Sequence, residues 1–217
     1  MKCLVFLTFA FFIISLPINA QSNAIEIYNT GRNLEGLGRI QEAETYYNQA
    51  VQICNEEIAR NNATRNTYTA LTWTLLRQRK YSEVIIWGER GLRLFADEFR
   101  ILETMGEAYF HIDDYSNSLM FMQRYINSLP EGERVSIAYF FVGEIYRLQN
   151  KNRLADIAYS TAVRLQPDIA LWWYRLGSVR EYSGDSSTAA DAYERALRLD
   201  PNYQAANDGL GRVRRQP

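Results

Sequence analysis

The chain has 217 residues, 47% of them hydrophobic and 23% charged, with 24 basic side chains against 25 acidic ones. That is an ordinary globular balance. A net charge of −1 lacks the basic surplus or stripe that nucleic acid requires, so no nucleic-acid partner is expected.

The chain opens with Met1-Lys2, a minimal positive start. Leu4 to Leu16 follows, apolar apart from Thr8 and Ser15; Pro17 ends the run, and Ala20 places a small residue before Gln21. This is the layout of a secretory signal peptide, predicted over residues 1–20, with 21–217 as one domain. The apolar run is shorter than the ~20 residues of a spanning helix. No stable membrane span is therefore expected after cleavage; an uncleaved N-terminal anchor is the other reading of the same segment. With the signal removed only Cys54 remains, so no internal disulfide is expected.

From Ala24 onward the chain reads as paired helices at a repeating interval. The period is plainest near the end. "LADIAYSTAVRLQP" (Leu154 to Pro167) aligns 34 residues upstream of "TAADAYERALRLDP" (Thr188 to Pro201), with seven of fourteen positions identical. Tyr139 answers Trp173, Gly143 answers Gly177, and Asn150 answers Gly184 at the turn. A fixed period of this length is the signature of a solenoid.

In chain order, the first unit starts at Ala24 and carries Ile27, Gly31, Leu34, Gly38, Ala43, Tyr47 and Ala50. The second starts at Arg65 with Tyr68, Leu71, Thr72, Leu75, Val84, Gly88 and Gly91; the third, at Phe99, with Leu102, Met105, Gly106, Tyr109, Ser118, Met122, Tyr125 and Pro130. The fourth starts at Ser136 with Tyr139, Val142, Gly143, Tyr146, Ala155, Tyr159, Ala162 and Pro167; the fifth, at Ala170, with Trp173, Leu176, Gly177, Gly184, Ala189, Tyr193, Ala196 and Pro201. Starts are spaced 41, 34, 37 and 34 residues. The extra residues are expected in the links "NEEIARNNA" (Asn55 to Ala63) and "EGERVS" (Glu131 to Ser136). A capping helix is expected from about residue 202, with Leu210 and Gly211 in register.

This pattern resembles the tetratricopeptide repeat. The resemblance implies an all-α, right-handed superhelical solenoid of antiparallel helix hairpins, with B helices outside and A helices lining a concave groove. Carried onto this chain, the groove positions give Tyr28, Arg32, Glu35, Asn66, Thr69, Trp73, Leu76, Arg77, Arg100, Glu103, Glu107, Phe110, His111, Phe140, Glu144, Arg147, Leu171, Tyr174, Ser178, Glu181 and Tyr182. The aromatic members are anchor candidates. Trp73, Phe110 and Phe140 are equally readable as packing between A helices. The glutamates would favour a partner segment bearing Lys or Arg, or else pair with neighbours such as Arg100 and Arg147. In the hairpin seam, Ala189 and Ala196 are expected to sit against Gly177 and the following A helix.

Catalysis is not expected. His111 is the lone histidine, too few for a multi-histidine or Cys/His metal site. Nothing orients Cys54 and His111 into a nucleophile–base pair, and phosphate-loop, dinucleotide and nucleophile-elbow patterns are absent. No metal or cofactor is therefore predicted. By analogy with exported repeat domains, the expected role is a protein- or peptide-binding scaffold in a bacterial periplasm, serving cell-envelope assembly or transport. Two other classes stand beside it: a homo-oligomer paired through exposed Tyr28 and Trp73, and a carrier of an apolar small ligand in the aromatic groove.

Overall fold

The structure, a computed structural model, describes residues 23–215; the predicted signal segment lies outside the described residues. Among the described residues there are eleven α-helices and no strand. Five hairpins follow one another: α1 (Ala24–Gly36) with α2 (Ile40–Ala59), α3 (Arg65–Arg77) with α4 (Tyr81–Leu94), α5 (Phe99–His111) with α6 (Tyr115–Ser128), α7 (Val135–Leu148) with α8 (Asn152–Leu165), and α9 (Ala170–Tyr182) with α10 (Ser186–Leu199). The last helix, α11 (Gln204–Val213), covers the open end. Odd-numbered helices form the inner wall, where α1 lies beside α3, α3 beside α5, and α9 beside α11. Each outer helix is wedged between its own inner helix and the next one. The fold is thus an all-α superhelical solenoid.

The hairpin turns share one conformation. The residue fifteen places into each unit has a left-handed backbone, with φ of 75° at Gly38, 57° at Arg79, 60° at Asp113, 56° at Asn150 and 80° at Gly184. After it the amide of the next residue reaches back to a carbonyl five residues earlier, as in Arg39 to Leu34 and Asp185 to Arg180 (2.9 and 3.0 Å). This closes the inner helix and reverses the chain in a few residues. Glycine adopts the conformation freely, whereas Arg79 adopts it at a steric cost.

Packing follows a seat-and-ring rule. A Cβ built on Gly31, Gly143 or Gly177 of an inner helix would lie 2.6–2.7 Å from the ring of Tyr47, Tyr159 or Tyr193 on the outer helix of the same hairpin. The atoms nearest a Cβ on Gly177 are those of the Tyr193 ring, so the glycine is the seat of that ring. Ala189 and Ala196, buried with Ala206, Leu210 and Val213, face the following inner helix α11 as expected. In the second unit the roles reverse. Gly88 on the outer helix receives Met105 from the next inner helix.

The two longer units also depart from expectation. Most of the extra residues after Val51 extend α2, 20 residues long against 14 in α4, α6, α8 and α10. Cys54 is buried in that helix, and burial pushes its thiol up to about 12. The extra residues before α7 do form a link, Leu129 to Arg134, and it folds against the inner wall.

Candidate functional site

A cavity of about 490 Å³ opens on the inner wall between α1, α3 and α5. Tyr28, Arg32, Trp73, Leu76, Arg77, Arg100, Glu103 and Glu107 line it from these helices. The end of α6 and the link after it close one side through Tyr125, Leu129 and Glu131 to Arg134. Inner-helix side chains converge there because residues three and four apart share one face of a helix.

Trp73 forms the aromatic floor. Its ring lies 5.3 Å from that of Tyr28, and the Arg100 guanidinium stands 5.9 Å from its centroid. Arg100 is fixed by Glu98 at 2.7 Å and donates to Asn66 at 3.1 Å. Tyr28 is buried, so the expectation of Tyr28 and Trp73 as exposed pairing residues of a homo-oligomer is corrected: they pack on each other.

The carboxylates on this wall already have cations. Glu103, only 2% exposed, accepts from Arg134 at 2.7 Å, and the same guanidinium lies 3.5 Å from Glu107. Burial pushes the Glu103 carboxyl upward, and Arg134 opposes that shift. Burial is the largest single influence on Arg134 and pulls it down, but the charge and hydrogen bond of Glu103, with the charge of Glu107, together outweigh it and raise the guanidinium. His111 lies 3.9 Å from Glu107 on its other side and stacks on Tyr81.

Elsewhere the pattern repeats as a three-residue staple. Tyr47, Tyr159 and Tyr193 of the outer helices donate their hydroxyls to Glu35, Glu144 and Glu181 of the inner ones. An arginine of the following inner helix then approaches the same carboxylate: Arg77 to Glu35 at 3.9 Å, Arg175 to Glu144 at 2.9 Å, and Arg212 to Glu181 at 2.6 Å. Arg147 adds a second cation on Glu144 at 2.8 Å. The reading of Glu103, Glu107, Glu144 and Glu181 as free attractors of a basic partner is corrected by these pairs.

The remaining predicted groove residues lie away from the cavity. Phe140 stacks on Trp172 at 5.1 Å, and Phe110 packs edge-on against Phe141 at 5.0 Å. Tyr174 packs against Tyr193 and Tyr203. Tyr182 is 78% exposed and touches none of them. So the structure brings Trp73, Arg77, Arg100, Glu103 and Glu107 to one place and leaves Phe110, Phe140, Glu144, Tyr174 and Tyr182 outside it. Sequence reasoning placed the link before α7 but missed that Arg134 carries it to the inner wall. The available signal was the charged run Glu131-Gly132-Glu133-Arg134 within that link.

Among the described residues, no helix is long and apolar enough to cross a membrane, and no group of His, Cys, Asp and Glu side chains is placed to hold a metal ion.

Comparison with known proteins agrees with this architecture. Tetratricopeptide-repeat family patterns match residues 23–97, 137–169 and 170–203. Human protein O-mannosyl-transferase TMTC1 is 27% identical over 199 residues, covering 88% of this chain but 22% of the relative; the mouse protein is 25% identical with 24% covered. The chain thus spans under a quarter of the curated relatives it matches. Among solved structures, MamA from Desulfovibrio magneticus RS-1 superposes with a TM-score of 0.65 at 17% identity, over 84% of this chain and 97% of that one. YrrB, described as a TPR protein with an unusual peptide-binding site, gives 0.56 at 16% identity, over 89% and 94%. Repeating hairpins, ring-in-glycine seams and these matches together place the chain in the tetratricopeptide-repeat family.

Proposed function

We propose that this protein is a non-catalytic scaffold that captures an extended or helical segment of a partner protein in the cavity between α1, α3 and α5. The observation that carries this reading is the Trp73 floor, flanked by Tyr28 and Arg100 in an open concave wall. Such a site offers an aromatic anchor surface within a charged rim, the make-up of a peptide-binding hot spot. A YrrB-like peptide-binding role and the transferase name of TMTC1 belong to those proteins; the inner-wall cavity supports the former class of role here. The apolar-carrier reading has less support, because four arginines and four glutamates ring the cavity. By the layout of residues 1–20 we propose that the protein is exported, and by analogy with exported repeat domains that it works in a bacterial periplasm within envelope assembly or transport machinery.

A photo-crosslinking residue at Leu76 tests the first part. It should yield discrete adducts in native cells, sensitive to Trp73→Ala, whereas the same probe at exposed Ile157 on α8 should not. Adducts from Ile157 alone would overturn the groove reading. N-terminal sequencing of the native protein tests export, with Gln21 as the expected first residue.

A further inference from the structure

The link from Leu129 to Arg134 is the one non-helical wall of the cavity. It is folded closely: the Gly132 amide bonds to the Leu129 carbonyl and the Val135 amide to the Gly132 carbonyl, both at 3.0 Å. A Cβ on Gly132 would lie 2.8 Å from the Tyr125 hydroxyl. What fastens this link to the inner wall is the Arg134 guanidinium between Glu103 and Glu107.

That pairing differs from the others in the groove. Arg77, Arg147, Arg175 and Arg212 reach their glutamates from within helices fixed in the stack. Arg134 comes from the residue preceding α7, with 39% of its side chain exposed, to a carboxylate that is 2% exposed. Its Nε is buried and donates to nothing, a feature it shares with Arg147 and Arg175, so the distinction lies in its place on the link. A buried carboxylate is thus compensated by a half-exposed cation on a short link, at the edge of an open cavity.

Resting on the groove-capture reading above, we propose that Arg134 holds the place of a basic side chain of the partner. The link swings aside when a segment bearing an arginine beside an apolar residue enters the cavity. Exchange of one guanidinium for another leaves Glu103 compensated throughout. A segment without a cation would strip Glu103 of its counter-charge, a heavy penalty in a buried setting. The latch therefore also rejects neutral segments, discrimination by an unpaired group left behind. Once freed, Glu131 and Glu133 on the link add negative charge facing the basic segment. The apolar neighbour has the half-buried Trp73 ring to settle on.

The test titrates the full chain with the amidated peptide acetyl-Phe-Arg-Leu-Arg-Phe and with its twin in which citrulline, uncharged and of the same shape, replaces arginine. The wild type should bind the arginine peptide at least tenfold more tightly than the twin. Arg134→Gln should tighten arginine-peptide binding at least fivefold, because the internal competitor is gone. Unchanged or weaker binding by Arg134→Gln would overturn the latch and make Arg134 a brace. Should that variant fail to fold, Glu103→Gln combined with Arg134→Gln replaces the ion pair by two amides; this form should lose most of the preference for arginine, the remaining carboxylates supplying the rest, and an undiminished tenfold preference would sink the proposal. Trp73→Ala separates the two readings. If it abolishes binding while Arg134→Gln changes nothing, the groove stands and the latch falls; if peptide binding ignores Trp73, or no peptide binds at all, both fall.

Discussion

Arg79 occupies a backbone conformation that suits glycine, at φ 57° in the turn between α3 and α4. Glycine at this place in two other hairpins shows the unstrained solution. Arg79→Gly should therefore stabilise the protein by about 1 kcal/mol, less the entropy of the freer unfolded chain. Thermal melting should show an increase of roughly 2–4 °C, and a decrease would mean that the turn does not hold the residue as described. Gly177→Ala is the converse case. Its new methyl would meet the Tyr193 ring at 2.7 Å, and overpacking of that kind costs about 1–3 kcal/mol. Pairing it with Tyr193→Leu should recover part of the loss. The sequence made both positions visible as small or turn-forming members of a repeat. It did not reveal which neighbour fills each glycine seat, because the period gives positions along the chain and not the direction in which a tyrosine ring leans.

Among the helices, α11 illustrates how units are joined. It buries Ala206, Leu210 and Val213 against α10 and brings Arg212 to Glu181 of α9. The Arg212 hydrogen bonds are the largest cause holding the Glu181 carboxyl below the ordinary glutamate value. A lowered folded value means that this contribution is present above the unfolded glutamate range and lost as pH falls through the folded one. Arg212→Ala should thus cost about 0.3–1 kcal/mol near neutral pH and nothing in strong acid, as read from melting curves of the two forms across pH. A constant difference at all pH values would assign Arg212 a packing role instead. Ala189→Leu, where α10 receives α11, should cost a similar 1–3 kcal/mol by overpacking. Helix identity and order were legible from the period alone, as was the inner-wall position of Trp73, Arg100, Glu103 and Glu107. The Tyr–Glu–Arg staples were not, since their glutamates and arginines stand 42, 31 and 31 residues apart, off the repeat period. Arg134 was hidden for a related reason: a link outside the repeat register has no position to carry over.

Taken as a whole, the molecule is a row of neighbours, so its stability is a sum of local seams. The largest buried cluster runs from Tyr68 through Ile101, Met122 and Val142 to Ala158, whereas the first hairpin is held by Tyr28, Ala43, Tyr47 and Ala50. Hydrogen exchange should accordingly show α5 to α7 as the most protected region and α1 with α2 as the first to open. Simultaneous exchange of all helices would contradict that gradient. The inner wall is also uneven: the backbones of α7 and α9 stand farther apart than those of α1 and α3, and side chains span the distance, Phe140 stacked on Trp172 and Glu144 paired with Arg175. A solenoid with a joint made by side chains alone has a preferred axis of bending. Under tension or on wrapping a long partner, the curvature would change at that one place while the two flanking blocks turn as rigid bodies, and added salt, by loosening the bridge, would lower its stiffness.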